Sequence, residues 1–199
     1  MDIINNKIDR RSALKRTALY VGGAVSVPTI LGILKSCKPA TPDWKPVSFT
    51  PESGKSLIAI VDHLAPRSEN IPSASELGIH DFIDKMVSDI YKEDKRKEFV
   101  DGLTELDKRA SNEMGGVFYE LSNEDQLQFL KKLDQEAYDA THGSNRPEKQ
   151  PYFYSLKWIT MSGYFNTEIV TTEVLNYVPV PGRWESCIPL EEGQPAWAE

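Results

Sequence analysis

The 199-residue chain is poor in the residues that enzymes usually gather around their chemistry. It has two cysteines, Cys37 and Cys187, and three histidines, His63, His80 and His142. No histidine has another histidine or a cysteine three or four positions away, so no single helix presents a His/Cys ligand pair and a metal site would have to be assembled across helices. The absence of a Cys-x-x-Cys-His run excludes covalent haem. No glycine-rich dinucleotide fingerprint lies outside the first 37 residues, which speaks against FAD or NAD held by this chain itself. No serine sits in a nucleophile-elbow context. Strand-like alternation and internal repeats are both missing. Basic residues are outnumbered 30 to 23, a net charge of −7, and nothing in that balance offsets the repulsion of nucleic-acid phosphates.

The N-terminus is distinctive. Asp9-Arg10-Arg11-Ser12-Ala13-Leu14-Lys15 precedes an apolar run from Thr17 to Leu34, then Lys35-Ser36-Cys37. A basic pair before a moderately apolar stretch reads as a twin-arginine export signal, carried by Arg10 and Arg11. The run is 18 residues long, at the lower edge of the ~20 that span a bilayer. Pro28 and three glycines interrupt it, which favours a signal over an uncleaved anchor. Cys37 is a candidate lipid-attachment residue: Leu34 and Ser36 fit that pattern, and Lys35 departs from it. A Cys37–Cys187 bridge is the alternative in an oxidising compartment. Otherwise Cys187 stands alone, as small buried cysteines commonly do. Loss of residues 1–36 would leave 17 basic and 28 acidic residues, a net charge near −11.

The division expected is a signal over 1–37, a proline-rich linker over 38–50 and one helical domain over 51–199. Pro39, Pro42 and Pro46 favour extended chain in the linker. Thr50-Pro51 then reads as a cap followed by proline at the first helical position, opening a helix with Leu57, Val61 and Leu64 that Pro66 ends. Ser73 and Glu76 form a capping box before a stripe of Ile79, Phe82, Ile83, Met86 and Ile90. Phe99, Val100, Leu103, Leu106 and Ala110 mark a third helix, closed by Gly115-Gly116. Ser122 and Asp125 open a fourth with Leu127, Leu130, Leu133 and Ala137. A loop over 142–147 leads to a fifth helix at about 152–164 and a short sixth at about 171–177. The fold class is all-α: a single compact domain of five to six helices with an irregular proline-rich tail.

Two groups of side chains are candidates for function. Asp62, Asp81 and Asp84 could lie near one another across helices, as acid–base work would need, but the preferred reading is that Asp81 and Asp84 lie on a solvated face or favour a helix N-terminus. The segment 151–199 holds 9 of the 19 aromatic residues in about a quarter of the length. Tyr and Trp suit interfaces because they bury area and keep a polar tip. Phe153 and Trp158 read as core. Tyr164, Phe165, Tyr177, Trp184 and Trp197 are the candidate partner interface. The segment from Tyr177 to Trp197 is expected on a partner rather than in this domain's own core.

Three blocks carry a resemblance. They are the twin-arginine leader, the stretch Ile60-Val61-Asp62-His63-Leu64-Ala65-Pro66 with Ile71-Pro72-Ser73-Ala74-Ser75-Glu76-Leu77-Gly78-Ile79-His80-Asp81-Phe82-Ile83-Asp84, and Gly163-Tyr164-Phe165-Asn166-Thr167-Glu168 with Leu175-Asn176-Tyr177-Val178-Pro179-Val180-Pro181-Gly182-Arg183-Trp184. In order and spacing they resemble the gluconate 2-dehydrogenase subunit 3 family. The resemblance implies the small subunit of a periplasmic flavin-dependent sugar, sugar-acid or glycoside dehydrogenase. FAD would sit on the large subunit, and a cytochrome c, with its haem, would often accept the electrons. The small subunit would hold no cofactor and no catalytic or metal-binding residue. It would assist maturation and twin-arginine export of its partner, in the periplasm and at the membrane. Two other readings remain: an independent periplasmic lipoprotein that binds a ligand or protein, and an enzyme working through a carboxylate site.

Overall fold

The computed structural model describes residues 44–142, 149–178, 182, 187, 189 and 191–198. Helix α1 spans Pro51–Leu64. Its first turn is closed by Thr50, whose Oγ1 accepts from the Ser53 amide at 3.1 Å, and Pro51 occupies the position where a missing N–H costs nothing. The Ala65 amide bonds back to Val61 at 2.9 Å, and Pro66 stops continuation. Leu57, Ile60 and Val61 face inward and are fully buried, so α1 sits at the centre of the domain against four neighbouring elements.

The capping box is only half formed. Glu76 accepts from the Ser73 amide at 2.8 Å, but Ser73 Oγ meets Ser75 instead. Helix α2, Ile79–Lys85, starts after Gly78 at φ +74°, a left-handed position that glycine takes without strain. It runs on into a π turn, Met86–Ile90, where the Tyr91 amide reaches Met86 O at 3.2 Å. The wider turn rotates the following side chains. Val87, four residues after Ile83, stays on the buried face, while Ile90 is turned out to solvent, a correction to the expected stripe. Arg96 caps this end, its guanidinium donating to Ser88 O at 2.6 Å and Val87 O at 3.2 Å.

Helix α3, Glu93–Met114, buries Phe99, Leu103, Leu106 and Ala110 as expected and ends at Gly115 with φ +86°. A 3₁₀ turn, Phe118–Glu120, drops Phe118 into the core. Helix α4, Asn123–His142, opens with Ser122 Oγ accepting from the Asp125 amide at 3.2 Å. Leu130, Leu133 and Ala137 are buried; Leu127 is exposed and Phe129 fills the core beside Phe118 instead. Helix α5, Tyr152–Phe165, matches the expected fifth element. Helix α6, Glu168–Glu173, starts three residues before the expected sixth, because Thr167 and Glu168 already begin the turn.

The fold is all-α, as its sequence reads. The exception among the described residues is a two-residue parallel pair, β1 (Asn176–Tyr177) with β2 (Trp197–Ala198). The Asn176 amide donates to Ala196 O at 2.8 Å. This backbone pairing closes the two ends of the tail on each other, which the sequence reading, without strands, did not include.

The later part of the expected linker, from Trp44 onward, is docked against the helices. Phe49 is buried. The amides of Val47 and Ser48 donate to the two oxygens of Asp84, at 2.7 and 2.8 Å. The Trp44 indole lies edge-on to His80 with ring centroids 4.7 Å apart. A Cβ on Gly54 would come within 3.0 Å of that indole, so the absent side chain makes the seat.

Candidate partner-docking surface

Helix α5 carries apolar residues on two faces. Phe153, Leu156, Ile159, Thr160, Gly163 and Tyr164 turn inward. Tyr154, Trp158, Met161 and Phe165 repeat at spacings of 4, 3 and 4, which places them together along the opposite side. Trp158 is 64 % exposed, Tyr154 40 % and Phe165 42 %. Trp158 was expected in the core; the smaller and more central side chains at 156, 159 and 160 take that face instead. A helix apolar all round is ordinarily covered on all sides.

Helix α4 supplies the second wall. Tyr138 is 57 % exposed, and His142 stacks on it with centroids 4.1 Å apart and planes 17° from parallel. Between the helices lies a groove of about 290 Å³ lined by Tyr138, His142, Tyr154, Lys157, Trp158 and Met161, among others. Lys157 Nζ donates to both oxygens of Asp134 at 2.7 and 2.8 Å, tying α5 to α4 beside the groove and neutralising the charge there.

The residues expected at an interface fall in different places. Arg10, Arg11, Cys37 and Trp184 lie outside the described residues. Tyr164 is buried, edge-on to Phe165, so its ring belongs to the core and not to an accessible face. Tyr177 and Trp197 are exposed. Their backbones are adjacent, but the register pairs Asn176 with Trp197 and Tyr177 with Ala198. Alternation along the strands therefore sends Tyr177 and Trp197 to opposite faces. Cys187 is exposed, not buried as a lone cysteine commonly is. Tyr138, Tyr154 and Met161, which the sequence does not single out, lie at the surface groove. The signal that marks Tyr154, Trp158, Met161 and Phe165 is the second apolar stripe of α5, offset from the buried one.

The carboxylates do not converge on a reaction centre. Asp62 accepts from the Ser75 amide and hydroxyl at 2.8 and 2.7 Å. Asp81 pairs with Lys85 at 2.6 Å. Asp84, 1 % exposed, is taken up by Val47 and Ser48, so it is not on a solvated face. His80 is buried beside them with no hydrogen-bond partner for Nδ1. Burial pushes its imidazole below the ordinary value, outweighing the opposite pull of Asp81, Asp62 and Asp84. His63 Nε2 meets Gln126 Oε1 at 2.8 Å, and Gln126 Nε2 donates on to Phe118 O at 2.8 Å, a structural relay between α1 and α4. Asp107 binds the Ser56 hydroxyl at 2.6 Å and has its carboxyl pushed up by burial. Among the described residues no three His, Cys, Asp or Glu side chains gather as a metal site requires, and no helix is long and apolar enough to cross a membrane.

The described residues form a helical domain with an aromatic groove open between α4 and α5. The sequence profile of the gluconate 2-dehydrogenase subunit 3 family matches residues 51–182, from the first residue of α1 to beyond α6. The chain belongs to that family, whose description makes it a subunit of a dehydrogenase complex. No match is found among curated proteins or among solved structures.

Proposed function

We propose that this chain is the non-catalytic accessory subunit of a periplasmic FAD-dependent dehydrogenase acting on a sugar, sugar acid or glycoside. The observation that carries the reading is the extent of the family match, which takes in every helix described. FAD and the substrate contacts belong to the large subunit in this account. A cytochrome c, through its haem, is the electron acceptor. The twin-arginine run supplies a reason for the small chain: a route for folded cargo on a protein with no cofactor motif of its own. The partner is loaded with flavin in the cytoplasm, binds this chain and crosses with it. Cys37 then holds the complex at the membrane through a lipid anchor.

Replacing Arg10 and Arg11 with lysines tests this reading. The expected result is that both the small chain and the dehydrogenase activity stay in the cytoplasm. Normal dehydrogenase activity in the periplasm, with the small chain retained inside, overturns shared export.

A further inference from the structure

We propose that the groove between α4 and α5, walled by Tyr138, Tyr154, Trp158 and Met161, is where the dehydrogenase subunit docks, through an uncharged apolar ridge that places a large side chain in the groove. The proposal rests on the accessory-subunit reading and names the surface that serves it. Three observations select this occupant. First, the exposed parts of Trp158, Tyr154, Tyr138 and Phe165 amount to about two whole aromatic side chains, ~400 Å². That is about half of the ~800 Å² each partner contributes to a standard interface, close to the non-polar share of such an interface. Second, the charges beside the groove are already satisfied, Lys157 by Asp134, so an approaching ridge meets no unpaired charge and needs none. Third, the chain is acidic overall. An acidic surface disfavours an anionic bilayer and a second copy of itself, which leaves a separate protein with its own apolar patch as the favoured occupant.

The groove also explains why α5 is apolar on both sides. The inner stripe holds the domain together, and the outer stripe is matched to a surface present only in the complex. Trp158 stands at the middle of the stripe, flanked by Tyr154 and Met161, the position where interface anchors concentrate binding energy.

The test uses the full chain, tagged in its native host, and the flavoprotein retained with it. Trp158→Ala is expected to weaken retention about 30-fold or more. Tyr138→Lys, which changes the other wall, should weaken it similarly, whereas Ile90→Ala, at an exposed site on the π turn of α2, should leave it unchanged. Circular dichroism and thermal unfolding of each variant should match the wild type. Tyr138→Lys keeps the test decisive should Trp158→Ala lose its fold. Retention of the flavoprotein by the wild type and, within threefold, by both groove variants overturns the groove proposal and leaves the accessory reading standing. A groove-dependent homodimer, or groove-dependent sedimentation with phosphatidylglycerol vesicles, while flavoprotein binding stays intact, also overturns it. A wild-type chain that retains no flavoprotein refutes the accessory reading itself.

Discussion

Asp84 clasps the segment that joins the N-terminal region to the helical domain. Its carboxylate is almost wholly buried and takes the Val47 and Ser48 amides at 2.7 and 2.8 Å. Asp84→Ala removes both acceptors at once. Hydrogen bonds to an ionised group contribute about 1.5–3 kcal/mol each, and an orphaned buried amide costs about 1–3 kcal/mol. The segment can swing outward and let water reach the freed amides, so the loss is expected to be about 3 kcal/mol. For a chain of this length that lowers the Tm by roughly 6–12 °C. Asp84→Asn keeps the shape and one acceptor and should fall between the variant and the wild type. Urea unfolding gives the free energy, and hydrogen exchange on the peptide covering residues 44–50 locates the change. Fast exchange at Val47 and Ser48 in Asp84→Ala, with α3 and α4 still protected, is the expected pattern. Wild-type exchange at those amides together with a stability change under about 0.5 kcal/mol would refute the clasp.

Burial holds the His80 imidazole pKa below 6.5. The unfolded chain therefore takes up the proton first as pH falls, and stability is lost below about pH 6.5. His80→Gln should flatten this part of the stability–pH curve measured by urea unfolding from pH 7.5 to 5, and an unchanged slope would contradict the assignment. Tyr152 has its hydroxyl buried without a partner, and burial raises its phenol well above the ordinary value. Tyr152→Phe should leave stability unchanged or raise it by up to about 1 kcal/mol, whereas a loss of more than 1 kcal/mol in thermal or urea unfolding would mean that the hydroxyl has a structural partner.

The local punctuation of this fold was legible in the sequence. Thr50-Pro51 starts α1, Gly115 stops α3 and Ser122 opens α4, because caps and breakers act through their immediate neighbours. What escaped depends on contacts distant in sequence. Leu127 and Phe129 both fit a helical apolar pattern, and the Phe118 pocket decides which is buried. The π turn rotates Ile90 outward with no residue in the stretch to announce it. Asp84 reads as a surface charge until its donors, the amides 36 and 37 residues upstream, are found bonded to it. The concentration of aromatics near the C-terminus was visible, but their division between core and surface was not. Tyr164 and Trp158 exchanged the roles expected of them, because an apolar helix offers two plausible inner faces and only packing against α2 and α4 chooses one.

The central claim is that this chain works as one subunit of a flavin dehydrogenase. Affinity purification of the tagged full-length chain from its native membranes, with the absorbance spectrum and subunit masses of the eluate recorded together, tests it most directly. A larger protein in a fixed ratio to this chain, flavin absorbance in the eluate and sugar-dependent bleaching of that absorbance are the expected result. Recovery of this chain alone, as a stable species with no flavin absorbance, would contradict it.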